Sequence, residues 1–344
     1  MNSFNRSYRE KRQYLFDINK FNLIDFDFNG LKKRVYHNVN FSIFSDDYCN
    51  ADCEFCVAQL RFESRKQMYK KHKISDDYEY LQRLDKVLAI IRPLNPSISI
   101  TGGEPTKCSR IVDILDLVKK HGFRKRTITT NGSGLLDNIR GKTVLEHLIN
   151  SGFVHLNISR AHYNDQINQN IMKFENNQYC SNKELSYIIK YALKRGLRPR
   201  LSCLLLKAGI NNIHEIMNYL DFYNELGIDN VIFRELMDYD MDNMINTEKK
   251  AYCIENKIKL NEIWGEFDKY PDRFVPQLNI LGYYYYVEIY KYKSIDCVSE
   301  SADLIKLYEE KEKHKDIVYE MVFHPNGNLN GSWVDNEDVL LRYE

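Results

Sequence analysis

No stretch of the 344-residue sequence reaches the roughly 18 consecutive apolar residues that a membrane-spanning helix requires. The opening MNSFNRSYREKRQYLFDINKF has basic side chains but no apolar core segment, which excludes a cleaved secretory signal. Together these absences make the cytoplasm the expected compartment, where thiols stay reduced. Charge of one sign is also lacking: 49 Lys and Arg stand against 48 Asp and Glu, a formal net charge of +1. Such a balance gives no reason to expect a nucleic-acid or anionic-membrane partner. The 7 prolines and 15 glycines gather into no flexible linker, and there is no internal repeat or low-complexity tract. With 43% hydrophobic and 28% charged residues, large-scale disorder and collagen-like structure are excluded.

What is present is a pattern of strands and helices. Residues 1–34 are polar and mixed in charge and read as an N-terminal arm. From 35 the chain alternates: strand-like runs at 35–45, 97–101, 126–130, 153–159, 198–206 and 229–236 enclose helical patterns at 76–91, 109–121, 142–151, 182–195 and 213–226. Repeated βα units imply a parallel sheet with right-handed crossovers. About 200 residues are too few for a complete eight-stranded barrel. The expected fold is therefore α/β, a partial (β/α)6 TIM-like barrel over 35–240. A C-terminal α+β extension follows over 241–344, with a β-hairpin near 318–334 turned by Asn326-Gly327.

Of the 8 cysteines, three are clustered as Cys49-Asn-Ala-Asp-Cys53-Glu-Phe-Cys56 and five are scattered. Three thiolates within eight residues, just after a strand, can converge on a soft metal centre. A structural zinc site would want a fourth ligand at finger-like spacing, and the nearest later candidates, His72 and Cys108, form no such pair. An iron–sulfur cluster on three thiolates would leave one iron open to a small molecule. Free thiols are the third reading.

Further signals lie at strand ends. In Thr101-Gly102-Gly103-Glu104-Pro105-Thr106, two glycines let a ligand reach the backbone, and exposed carbonyls plus Glu104 can accept bonds from an ammonium group. A plain strand-to-helix turn is the alternative. Thr129-Thr130-Asn131-Gly132 and Ile158-Ser159-Arg160-Ala161-His162 close two later strands, and Arg200 and Arg234 lie on the last two. These positions fall on the rim where parallel α/β folds bind ligands. Cys108 could donate a hydrogen atom or simply pack. Arg234 and Glu235 could touch substrate or pair internally. His162 and His324 could serve as acid–base groups or be held in hydrogen bonds. Tyr283 to Tyr286 could line a pocket, though at strand period two would pack inward. Cys180, Cys203, Cys253 and Cys297 read as structural.

The cysteine loop, with Phe55 before its third cysteine, and the Gly-Gly-Glu-Pro element resemble the radical S-adenosylmethionine (SAM) superfamily. TGGEPT, TTNG, LLLKAGINNIHEI and VIFRELM are similar to the branch containing the molybdenum-cofactor GTP 3′,8-cyclase, over roughly 35–240. The resemblance implies one [4Fe–4S] cluster on Cys49, Cys53 and Cys56, with the amino and carboxylate groups of SAM on its open iron. It implies that Gly102, Gly103 and Glu104 receive the methionine ammonium. Thr130, Asn131, Ser159, Arg160 and Arg200 would contact carboxylate and ribose, and Phe55 would flank adenine. Arg234, Glu235 and Cys108 remain candidate catalytic residues. A small-molecule substrate and a one-electron donor such as flavodoxin or ferredoxin follow as partners.

The resemblance stops at the C-terminus. The cyclase carries a second cluster on three C-terminal cysteines and a glycine-rich tail. Here Cys253 and Cys297 are isolated, Asn330-Gly331-Ser332-Trp333 stands where a cysteine-bearing strand is expected, and the chain ends in LLRYE. The expectation is a one-cluster radical SAM enzyme acting on a small polar metabolite, a nucleotide, nucleoside or sugar derivative being favoured. A peptide-modifying maturase without auxiliary clusters and a non-catalytic zinc-binding module are the alternatives.

Overall fold

Runs such as Ser97-Ile-Ser-Ile-Thr101 alternate apolar β-branched residues with hydroxyl residues. One face of such a strand can be buried under a helix while the other stays polar. The computed structural model, which describes residues 22–237, 244–282 and 284–343, builds its sheet in this way. The N-terminal arm up to residue 21, residues 241–243 of the C-terminal extension, and Tyr283 lie outside the described residues.

β1 (Leu23–Phe28) pairs antiparallel with the start of β2 (Leu31–Phe44). Asn29 and Gly30 join them with φ of 53° and 102°, the two positive values that a two-residue hairpin turn demands. Residues 23–34, read from composition as part of a polar arm, are thus sheet. Beyond β2 the expected parallel order follows: β3 (Ser97–Thr101), β4 (Arg126–Thr130), β5 (His155–Ser159), β6 (Arg198–Leu204) and β7 (Asn230–Arg234).

The segment after residue 244 adds strands at both edges of this array. β8 (Val275–Leu281), β9 (Tyr285–Tyr292) and β10 (Ile295–Ala302) form an antiparallel meander whose last strand runs parallel to β7. β11 (Ile317–Phe323) runs parallel to β2, followed by the short strands β12 (Leu329–Asn330) and β13 (Val339–Leu341). Eight parallel strands are thus present among the described residues, and helix α10 (Leu304–Lys313) carries the chain from one edge strand to the other.

Helices cover the outer face: α1 (Arg65–Tyr69), α2 (Asp77–Ile91), α3 (Ile111–His121), α4 (Val144–Asn150), α5 (Asp165–Met172), α6 (Asn182–Leu193) and α7 (Ile213–Glu225), then α8 (Thr247–Asn256) and α9 (Leu260–Phe267). In α2 the stripe Tyr80, Leu84, Val87, Leu88 and Ile91 is buried, and Asp76 caps the first turn by accepting from the Glu79 amide. At roughly 2 kcal/mol per side chain, that stripe contributes on the order of 10 kcal/mol before ordering costs. Capping boxes start α4 (Thr143 with Glu146) and α6 (Ser181 with Glu184).

Under this coat Phe41, Ile98, Ile100, Ile128, Leu156, Leu201 and Val231 join one continuous core. The alternate residues face the inner side and are mostly polar. Register sets them in layers, with Ser42 beside Ser99, Asn157 beside Arg200, and Ser159 beside Ser202. Among the described residues no helix is long and apolar enough to cross a membrane.

Candidate functional site

The cysteine loop leaves the C-terminal end of β2 and is bound to its neighbours through backbone. The Ser45 amide donates to the Thr101 carbonyl at 2.8 Å, Gly103 to Asp46 at 2.7 Å, and Glu104 to Tyr48 at 2.8 Å. This crossing explains the glycine pair. A Cβ on Gly103 would stand 1.8 Å from the Tyr48 carbonyl oxygen, and Gly102 holds a φ of 141° that side chains rarely adopt. The glycines admit the cysteine loop itself, a close approach that sequence reasoning had assigned to a ligand. On its other side the loop is held by the segment after α5. The Asp52 backbone amide donates to the Lys173 carbonyl, the Glu175 backbone amide to that of Asn50, and the buried Asn50 side-chain amide to that of Gln178.

The three thiols are half-buried together at the rim. Burial, then the nearby charges of Glu104 and Cys56, pushes the Cys49 thiol up to about 12. Burial followed by Cys56 and Cys49 raises Cys53, and burial raises Cys56. Such a trio ionises only when a cationic centre replaces the protons. A single zinc needs all its sulfurs at about 2.3 Å and a complete four-ligand shell, whereas a cluster spreads its thiolates over separate irons and can leave one iron open. Three soft thiolates on one loop are a donor set that fits such a cluster. The Ala51 amide, 3.4 Å from Cys49 Sγ, and Asn131 Nδ2 at 4.0 Å add the N–H donors that steady such sulfurs.

Glu104 is buried at 3% exposure and ties β3 to β4. Its Oε1 accepts from the Thr106 amide at 3.0 Å, the Thr106 hydroxyl at 2.6 Å and the Thr130 hydroxyl; its Oε2 accepts from the Asn131 amide at 2.6 Å. Burial raises its carboxyl above the usual range, against these donors. Oε1 is saturated, while Oε2 keeps one lone pair for an outside donor.

Several predicted residues turn away from the inner side of the sheet. Thr130 is buried on the helix side with its hydroxyl between Glu104 and the Gly132 amide. Arg160 is 2% exposed, and its guanidinium is consumed by the Tyr223 hydroxyl, the Cys180 carbonyl, Asp165 and Asn182. Strand alternation is the reason, since Arg160 follows the inward Ser159 and so points outward. Glu235 is likewise buried, accepting from the Leu260 amide at 2.8 Å and the Ser301 hydroxyl. Cys108 is packed in the core, its thiol 3.8 Å from the Ser45 carbonyl. Asn131 reaches the loop through Asn50 and Cys49, which makes it a support for the sulfur site.

Other predicted residues do face inward. Ser159, Arg200 and Arg234 share the inner side, with Arg200 one layer deeper than Ser159. Arg200 Nε donates to Asn230 at 2.5 Å, and Arg234 lies 3.2 Å from Glu300 on β10. Burial, then the neighbouring Arg234 charge, lowers the Arg200 guanidinium from its ordinary value, with Glu300 opposing. Phe55 packs with Cys53, Leu204, Leu236 and Cys253 in a small apolar cluster beside the loop. His162 accepts from the Asn164 amide in the helical layer. His324 is buried, with Nε2 3.0 Å from the Ser332 carbonyl. Sequence reasoning missed Glu300, which sits in the acid- and serine-bearing Ile295–Ala302 run, and Lys249, which reaches the loop from α8.

Three loop thiols beside a Gly-Gly-Glu turn lie at the strand C-termini of a parallel α/β fold, an arrangement with the donor groups to hold a metal cluster and a small ligand on one rim. The sequence profile of the Radical SAM superfamily matches residues 45–223, and the chain belongs to that superfamily of enzymes. Among curated proteins it is similar to a probable GTP 3′,8-cyclase of Methanothermobacter thermautotrophicus, at 27% identity over 179 residues, 52% of each chain. It is also similar to one from Sulfurisphaera tokodaii, at 30% over 165 residues, 47% of this chain and 48% of the relative. The chain thus spans about half the length of the curated relatives it matches. Among solved structures, SuiB of Streptococcus suis bound to S-adenosylmethionine shares the fold. Its TM-score is 0.56 and its identity 16%, over 98% of this chain and 67% of that one.

Proposed function

We propose that the chain reductively cleaves SAM and uses the resulting radical to take a hydrogen atom from a small polar metabolite, with a nucleotide, nucleoside or sugar derivative favoured. The observation that carries this reading is the alignment of two features on one rim: the three-thiol loop, and an inner face that is polar and holds two guanidinium groups. When bound, a [4Fe–4S] cluster supplies one electron that breaks a sulfur–carbon bond of SAM to give methionine and a 5′-deoxyadenosyl radical.

The residues divide the remaining work. Cys49, Cys53 and Cys56 would hold the cluster, steadied by Asn131. The backbone at Gly102 and Gly103 and the remaining lone pair of Glu104 Oε2 would accept the methionine ammonium. Ser159 would meet carboxylate or ribose, and Phe55 with Leu204 and Leu236 would flank adenine. Arg200, one layer deeper, suits the substrate better than SAM. With Arg234 it leaves one positive charge beyond what Glu300 balances, which favours an anionic group such as phosphate or carboxylate. The helical coat and α10 would keep water from the radical.

GTP cyclisation is the activity named for the curated relatives. For this chain it is disfavoured, because Cys253 packs beside the first loop while Cys297 is sealed in the core, so the two contribute to no shared second site among the described residues. Anaerobic reconstitution tests the proposal. About four irons per chain and dithionite-dependent 5′-deoxyadenosine are expected, and deuterium transfer from candidate substrates into 5′-deoxyadenosine would identify the substrate. Tight zinc with no SAM cleavage would overturn the reading.

A further inference from the structure

We propose that Lys249, carried by α8 from beyond the barrel, is a positioning residue for the cysteine loop whose charge raises the reduction potential of the cluster held there. The inference rests on the reading of Cys49, Cys53 and Cys56 as cluster ligands. Lys249 is 7% exposed, and its Nζ donates to the Cys53 carbonyl at 2.7 Å and to Asp52 Oδ1 at 3.0 Å, with Glu54 at 3.8 Å. It thus grips the turn between the first and third cysteines. Its helix is anchored beside the loop: the Ile245 and Asn246 amides both donate to the Leu60 carbonyl, just beyond Cys56, and Cys253, one turn on, belongs to the apolar cluster against which Cys53 and Phe55 pack.

The position is electrostatically unusual. Lys249 lies in the first helical turn, capped by Asn246, where the helix already presents positive partial charge. A buried lysine there is disfavoured unless nearby negative charge offsets it. Asp52 and Glu54 supply part of that charge, and Glu54 is shared with Lys173. A cluster that accepts one electron from a donor gains one negative charge, and a fixed ammonium beside Cys53, reinforced by the helix end, stabilises the reduced form.

The experiment is an EPR-monitored redox titration of the anaerobically reconstituted full chain. Lys249→Gln keeps a donor for the Cys53 carbonyl but removes the charge; it is expected to retain iron and to shift the midpoint to more negative potential. Lys249→Arg keeps the charge and is expected to stay near wild type. Asp52→Asn keeps an oxygen that accepts from Lys249 but removes the carboxylate charge that offsets it, and is expected to move the midpoint the other way, which gives a reading even if the glutamine variant loses its iron. An unchanged midpoint in an iron-replete Lys249→Gln, or in Asp52→Asn, overturns the inference. A wild-type chain that takes up no iron overturns the ligand reading beneath it instead.

Discussion

Replacing Gly103 with alanine tests whether the glycine pair exists for the cysteine loop. The new Cβ would lie 1.8 Å from the Tyr48 carbonyl oxygen and 2.3 Å from its carbon, both backbone atoms that cannot swing aside like a side chain. Restoring a carbon–oxygen separation of about 3.3 Å requires the loop to withdraw by about 1.5 Å. Such a withdrawal breaks the bonds from Gly103 to Asp46 at 2.7 Å and from Glu104 to Tyr48 at 2.8 Å. Two backbone bonds lost from a mostly buried crossing cost about 2–6 kcal/mol, according to how far water replaces them. That cost falls on the loop, because the main core lies beneath the helices on the other face of the sheet.

The expected result is a protein that melts near wild type but takes up little iron on anaerobic reconstitution. Gly141→Ala is the control. It also has positive φ, 81°, but its added Cβ meets nothing within 4 Å, so it is expected to lose about 1 kcal/mol of stability and none of its iron. A Gly103→Ala protein with a full complement of iron and normal SAM cleavage would refute the reasoning.

Three further outcomes follow from the same geometry. Arg160→Met is expected to cost about 2–4 kcal/mol in urea denaturation by leaving the buried Cys180 carbonyl and Tyr223 hydroxyl without their donor, with SAM affinity intact; a stable protein that no longer binds SAM would return Arg160 to the ligand site. Arg234→Met is expected to weaken binding of an anionic substrate about tenfold or more while substrate-free, dithionite-driven SAM cleavage continues, and unchanged substrate affinity by calorimetry would remove Arg234 from the site. Burial, helped by the Lys71 charge, holds His324 at about 4, below its ordinary 6.5, so the unfolded chain binds the proton first as pH falls. The stability present above pH 6.5 is then lost progressively down to about pH 4, by about 3 kcal/mol. Urea midpoints of wild type and His324→Gln across that window should converge on acidification, and parallel curves would contradict the assignment.

The rim was legible in the sequence because its chemistry is local. Three cysteines within eight residues, and two glycines before Glu104, announce themselves without tertiary information. The six parallel strands were legible for a related reason: each pairs apolar outward residues with polar inward ones, and an amphipathic helix follows. Orientation within a motif was harder. Ser159 and Arg160 are adjacent at a strand end, yet only the first faces the inner side, and a motif match treats both as ligands. The edge strands were hidden by composition. Ile295–Ala302, with aspartate, glutamate and two serines, reads as surface until its pairing with β7 sets Asp296 and Glu300 beside Asn230 and Arg234 on the inner side.

That interior changes what the C-terminal third of the chain does. A free-standing accessory would leave the six-stranded array open at both edges and the Cys53 turn without the Lys249 contact. Here the same segment supplies β10 to one edge and β11 to the other, spans the gap with α10, and places Lys249 on the Cys53 turn. Glu300 on β10 balances Arg234, and Lys311 on α10 reaches Glu320 on β11, so residues from beyond 244 contribute charge to the same inner side of the sheet. The proposed cluster rim is therefore built by the motif-bearing half that matches the superfamily, while Arg234, Glu300 and Lys311, beyond the matched residues 45–223, add charge beside Arg200. The different reaction proposed for this chain then needs no change in the cysteine loop. It would follow from the strands and helix added beyond residue 244, outside the residues 45–223 that the superfamily profile matches.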